Sequence, residues 1–158
     1  MSGPPTNSYL RDAVMTATPE QLQLMLYDGA IKFTLQGRDA LIAKDYEESY
    51  NKLSRAQAII LEMQNGLRSE VNPELCDRMA AVYNFLYRKL VDASVHKDAI
   101  CIDGAVKILR YQRETWVMLM EKVARLKADE AGPAAEPGEQ GAETPVPESV
   151  GGSLSVEG

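Results

Sequence analysis

Among residues that could do acid–base or metal chemistry, His96 is the only histidine in 158 residues. It sits in DASVHKDA, near the end of an expected helix, where an imidazole interacts well with the negative end of the helix dipole. A di-metal carboxylate centre needs Glu-x-x-His twice, and position 93 is Ala. A phosphotransfer histidine belongs in mid-helix near a glycine, whereas Lys97-Asp98 follows here; that reading would predict phosphate incorporation lost in His96→Ala. Cys76 and Cys101 stand 25 positions apart on different expected helices, with no second histidine and no close Cys pair to build a zinc site. No Gly-rich phosphate loop, nucleophile elbow or paired catalytic carboxylate occurs. The expectation is a non-enzyme with no cofactor and no metal.

Binding chemistry is better represented. Six methionines follow the first residue, and seven tyrosines are spread over every expected helix. Flexible thioethers and amphipathic phenols suit a groove that accepts a helical partner. Asp28-Gly29 resembles a turn signal inside a strongly periodic helix, where glycine costs about 1 kcal/mol relative to Ala. Close packing against a neighbouring backbone, or close approach of a partner chain, would account for it.

The elements that position these residues read as helix nearly throughout, because period-two alternation is missing and Gly and Pro are sparse between residues 20 and 128. Thr18-Pro19-Glu20-Gln21 is a capping box with proline at the first helical position. The helix that follows should run to Ala43 or Lys44 with Leu22, Met25, Leu26, Ala30, Phe33 and Gly37 as its core stripe. Leu24, Tyr27, Ile31 and Leu35 would then form a second side, open to a partner. A second helix spans about Asp45 to Leu67, with Leu53, Ala56, Ile60, Met63 and Leu67 at bundle spacing. Asn72-Pro73-Glu74 starts a third, carrying Leu75, Met79, Val82, Leu86, Leu90 and Ala93. Asp98 caps a fourth, lined by Ile102, Val106, Leu109, Trp116, Leu119, Val123 and Leu126. Short connections make consecutive helices antiparallel, so the fold class is all-α, an up-down four-helix bundle. Residues 7–16 are apolar at helical spacing but too few to hold a helix alone, and need the bundle surface.

Charge divides the chain. Residues 129–158 hold seven acids and no Lys or Arg, leaving 16 acidic against 17 basic residues in positions 1–128. The tail, rich in Pro and Gly, is expected to be disordered, since it has too little apolar surface to offset the entropy of ordering. The nearly neutral body lacks the positive excess of a phosphate-binding protein, so nucleic acid is not an expected partner. MSGPPTNSYL has no apolar signal core, and no run of about 18 apolar residues exists, so no membrane insertion is expected. The expected address is the cytoplasm, with both cysteines as reduced, buried thiols.

Asn7-Ser8-Tyr9, followed by Thr16-Ala17-Thr18-Pro19-Glu20 and Met25-Leu26-Tyr27-Asp28-Gly29-Ala30-Ile31, resembles the FliS family of flagellar export chaperones. The likeness continues through Ala56-Gln57-Ala58-Ile59-Ile60, Leu86-Tyr87, Leu109-Arg110 and Trp116, and leaves only the tail outside. A capping box alone is common; the order and spacing over about 120 residues are specific. The resemblance implies an antiparallel helical bundle that binds the C-terminal segment of flagellin in the cytoplasm. Held so, the segment would not polymerise early and would stay fit for type III export. It also implies dimers in some members, contact with export-gate components, and an N-terminal segment able to lie over the client groove. Carried onto this chain, it puts Asn7, Tyr9 and Leu10 in that cap. Tyr27 and Ile31 would offer apolar contact, Asp28 and Gln57 hydrogen bonds to a client backbone, and Ile60 a further contact; core burial is the alternative for Tyr27 and Ile60. The competing function is a dimerisation or regulatory adaptor bundle that binds a different helical partner.

Overall fold

The computed structural model describes residues 5–70 and 72–135, and all regular structure there is helical: α1 (Pro5–Thr16), α2 (Pro19–Ile42), α3 (Tyr46–Asn65), α4 (Pro73–His96) and α5 (Ala99–Ala135). Each long helix starts where its cap directs. The Thr18 hydroxyl accepts from the Gln21 N–H at 3.1 Å while the Gln21 side chain accepts from the Thr18 N–H at 3.0 Å, the reciprocal box that opens α2. Asp45 and Asn72 accept from Glu48 N and Leu75 N, and Asp98 accepts from Ile100 N and Cys101 N. Lys44 and Lys97 have φ of 63° and 54° just past α2 and α4, the left-handed turn that ends a helix. No described helix is long and apolar enough to cross a membrane.

The antiparallel register is written in side-chain pairs. Along α2 and α3, Gly29 faces Ile59 and Gly37 faces Leu53. Along α2 and α5, Asp28 pairs with Arg113 and Arg38 with Asp103. Short turns join the four long helices, giving the up-down bundle expected from the sequence. Its core is Leu53, Ala56, Ile60 and Met63 of α3, Leu86, Leu90 and Ala93 of α4, and Ile102, Ala105 and Leu109 of α5, with Tyr27, Ala30 and Leu41 of α2 and Tyr83 of α4.

Three expectations change. The buried face of α2 is Tyr27, Ala30, Thr34, Gly37, Ala40 and Leu41, rotated from the stripe led by Leu22 and Met25. The reason is size and satisfied polarity. The Thr34 hydroxyl donates to the Ala30 carbonyl at 2.6 Å, and Ser49 donates to the Gly37 carbonyl at 2.9 Å, so small polar residues enter the core with their groups met. A Cβ on Gly37 would fall 2.6 Å from Leu53 Cδ2, which is how closely α2 and α3 approach. Second, α5 continues through residues 129–135, which the sequence reading gave to the tail; Ala, Asp and Glu at 128–131 are compatible with helix. The remainder of the expected disordered tail, 136–158, lies outside the described residues. Third, Leu119, Val123 and Leu126 continue the α5 spacing but are exposed, as is Leu75 at the start of α4.

Candidate partner-binding surface

The residues that the family resemblance singles out fall into four different environments. Tyr27 and Ile60 are core, 1% and 0% exposed, and present no surface to a partner. Tyr27 meets Tyr83 across the bundle, with the two phenol oxygens 2.8 Å apart, and Gln23 donates to the Tyr83 oxygen at 3.4 Å. Burial pushes both phenols above their ordinary range, most strongly Tyr83, so the pair stays protonated and serves as a satisfied polar clasp between α2 and α4.

Asp28 and Ile31 lie on the α5 flank of α2. The Asp28 carboxylate accepts from the Arg113 guanidinium, and its hydrogen bond holds Arg113 even more firmly in the charged form. A client backbone would therefore meet Asp28 already engaged. Trp116 closes the same flank by donating its indole N–H to the Glu20 carbonyl at 3.1 Å. Ile31 is half-buried against the core, leaving part of its side chain accessible. Gln57 is also half-buried, but on α3, one position past the core residue Ala56. The structure thus does not gather Tyr27, Asp28, Ile31, Gln57 and Ile60 into one patch.

The N-terminal segment is a helix, as its spacing predicts, yet its apolar side chains are not laid on the bundle. Tyr9 is 78% exposed and Leu10 54%, and Val14 and Met15 are exposed beside them. Asn7 lies in α1, with its side chain outside the described set. The expected cap is therefore uncovered here: α1 joins α2 through Ala17 and Thr18 and shows its apolar residues to solvent.

His96 is exposed at the end of α4, its Nδ1 3.1 Å from the Asp92 carbonyl, a helix-terminal contact. Among the described residues no group of three or more His, Cys, Asp or Glu side chains could hold a metal ion. The cysteines are half-buried rather than buried. Cys101 donates its thiol to Asp98 Oδ2 at 3.3 Å; the carboxylate raises the thiol and is itself lowered by that bond, which keeps Cys101 away from the reactive thiolate.

Sequence reasoning missed two features. Tyr83 was not singled out, and its partner Tyr27 is too distant in sequence for any local pattern to join them. Phe33, expected in the core stripe, does pack against the core, but it is half-buried on the α3 flank with three cationic side chains over its ring. The clue was compositional: Lys32, Lys52 and Arg55 fall at matching levels once α2 and α3 are set antiparallel.

With this geometry in view, the relatives of the chain are informative. The family described as "Flagellar protein FliS" matches residues 2–123. The flagellar secretion chaperone FliS of Bacillus subtilis is 34% identical over 112 residues, covering 71% of this chain and 83% of that protein. Its namesake in Salmonella typhimurium is 30% identical over 116 residues, covering 73% and 86%. A crystal structure of a bacterial flagellar chaperone superposes with a TM-score of 0.63 at 17% identity, covering 75% of this chain and 99% of that one, a likeness of fold. The helical bundle, the capped start of α2 and a match running from residue 2 to residue 123 together make this chain a member of the FliS family of flagellar secretion chaperones.

Proposed function

We propose that this chain is a non-enzymatic export chaperone that binds the C-terminal segment of flagellin in the cytoplasm. It keeps that segment from polymerising and fit for flagellar type III secretion. The observation that carries the reading is the uncovered apolar side of α1, Tyr9, Leu10 and Val14, on a chain of this family. A contiguous apolar face left in water marks an interaction site, and a client segment that folds on binding would cover it. Ile31 of α2 and Gln57 of α3 are accessible enough to extend the contact along the bundle; Asp28 would take part together with Arg113. Export-gate components and a second copy of the chain are further partners in this proposal.

Calorimetric titration with a peptide of the last 40 or so residues of the host flagellin tests it. A saturable isotherm with a strongly negative heat-capacity change, and suppression of filament growth by the chain, are the expected results. A flat titration with folded protein would favour an adaptor bundle that binds a different helical partner.

A further inference from the structure

Four arginines on this bundle sit beside carboxylates: Arg38 with Asp103, Arg113 with Asp28, Arg78 with Glu74 and Arg68 with Glu70. The α2–α3 flank does the opposite. Lys32 Nζ, Lys52 Nζ and the Arg55 guanidinium carbon lie 5.5, 5.6 and 5.4 Å from the centroid of one ring, that of Phe33. No two of these charges can then be farther apart than about 11 Å, close to the screening length in physiological salt. Among the described residues the cluster has one carboxylate contact, Glu48 to Lys52 at 3.7 Å. The face of an aromatic ring attracts cations and holds them in place, but it does not neutralise them. Other rings carry a single cation, Lys89 over Phe85 and Lys97 over Tyr46. The Phe33 site is therefore a pre-assembled positive patch with an apolar floor, to which Ile59, packed 3.1 Å from the Cβ position of Gly29 one turn away, adds aliphatic surface.

We infer that this flank is a docking surface for an acidic stretch of the client polypeptide. Its carboxylates meet Lys32, Lys52 and Arg55, and an apolar side chain lies on the Phe33 ring and Ile59. The inference rests on the client-binding reading above and adds a contact of different chemistry. Phe33 is about 160° round α2 from Ile31, so it faces away from the Asp28–Arg113 flank. Charge complementarity calls for an acidic partner, and the mixed aromatic and aliphatic floor favours a polypeptide over a free anion. Charges on such a rim act mainly on association rate and salt dependence.

The test titrates the full chain with the host flagellin C-terminal peptide and with the same peptide carrying Asn and Gln in place of Asp and Glu. Wild type is compared with Lys32→Gln/Lys52→Gln/Arg55→Gln and with a control on α4, Arg88→Gln/Lys89→Gln; circular dichroism checks that each is folded. The triple variant should bind about tenfold more weakly or worse, with a flatter salt dependence, while the control changes less than about twofold. The neutralised peptide should lose as much against wild type and little more against the triple variant. Should the triple variant fail to fold, Lys32→Gln/Arg55→Gln keeps the Lys52–Glu48 pair and should show part of the loss. A folded triple variant that binds like wild type, or losses that simply add, would overturn the inference and leave the chaperone reading standing. Full competition by inorganic phosphate at matched ionic strength would mark a free-anion site and overturn it too. No binding of the native peptide to wild type would remove both readings.

Discussion

Tyr27 and Tyr9 carry the same side chain, each on a helix with apolar neighbours at helical spacing, and they end in opposite surroundings. Tyr27 is closed off between α2 and α4 with its hydroxyl paired to Tyr83. Tyr9 stands on α1 in water beside Leu10, Val14 and Met15. The contrast teaches that apolar spacing specifies a helix face but not what covers it. In the core, covering comes from three other helices of the same chain. On α1 no other helix of the described chain covers Tyr9 or Leu10.

The largest effect that would break this comparison is in the core. Tyr27→Ala should destabilise the protein by about 3–5 kcal/mol, read by urea denaturation, because it opens a cavity and strips Tyr83 of a hydrogen-bond partner. A loss below about 1 kcal/mol would mean that Tyr27 is not buried in solution, and would return it to the candidate client surface.

Next in size is the α2–α3 contact. Gly37→Ala should cost about 1–3 kcal/mol, since the new methyl would meet Leu53, which is wholly buried and cannot step aside. Gly29→Ala is the internal control. Its methyl would meet only the tip of the half-buried Ile59 at 3.1 Å, and the gain in helix propensity of up to about 1 kcal/mol should leave it neutral or slightly stabilised. Equal losses at both sites would mean that the two helices approach evenly along their length.

The tyrosine clasp sharpens the comparison through pH. Both phenols are raised above the ordinary value of 10.0, so their contribution to stability is complete below that pH and is lost as pH climbs above it. The unfolded chain ionises there while the folded clasp does not. Each buried phenol should then remove at most about 1.4 kcal/mol of stability per pH unit. Tyr83→Phe should roughly halve this alkaline slope in urea melts at pH 9–11, whereas Tyr9→Phe, at an exposed site, should leave it unchanged.

These expectations also mark how far the sequence could be read. The cap residues Thr18, Asn72 and Asp98 were legible because capping is a local exchange of hydrogen bonds, and the α3 seam from Leu53 to Met63 was legible because its residues are all apolar. The α2 face was not. It is made of Ala30, Thr34, Gly37 and Ala40, small residues that a search for large apolar side chains passes over, and their fitness for the core depends on Leu53 and Ser49 of another helix. The site was less legible still, for the same reason. Whether Tyr27 is groove or core depends on Tyr83, and whether Phe33 is core or patch depends on Lys52 and Arg55 across the α2–α3 register.

The smallest expected change in stability belongs to α1, and it decides what that helix is for. Tyr9→Ala/Leu10→Ala removes side chains that touch little, so unfolding free energy should shift by no more than about 0.5 kcal/mol. Affinity for the flagellin peptide should fall about tenfold, the effect of losing an aromatic anchor from an interface. A clear drop in stability together with tighter peptide binding would be the signature of a cap that packs on the bundle in solution and competes with the client. That result would erase the difference between Tyr9 and Tyr27, because both would be covered by the chain itself. Unchanged stability with weaker binding keeps the difference, and makes α1 a part of the client surface that is left open until the client arrives.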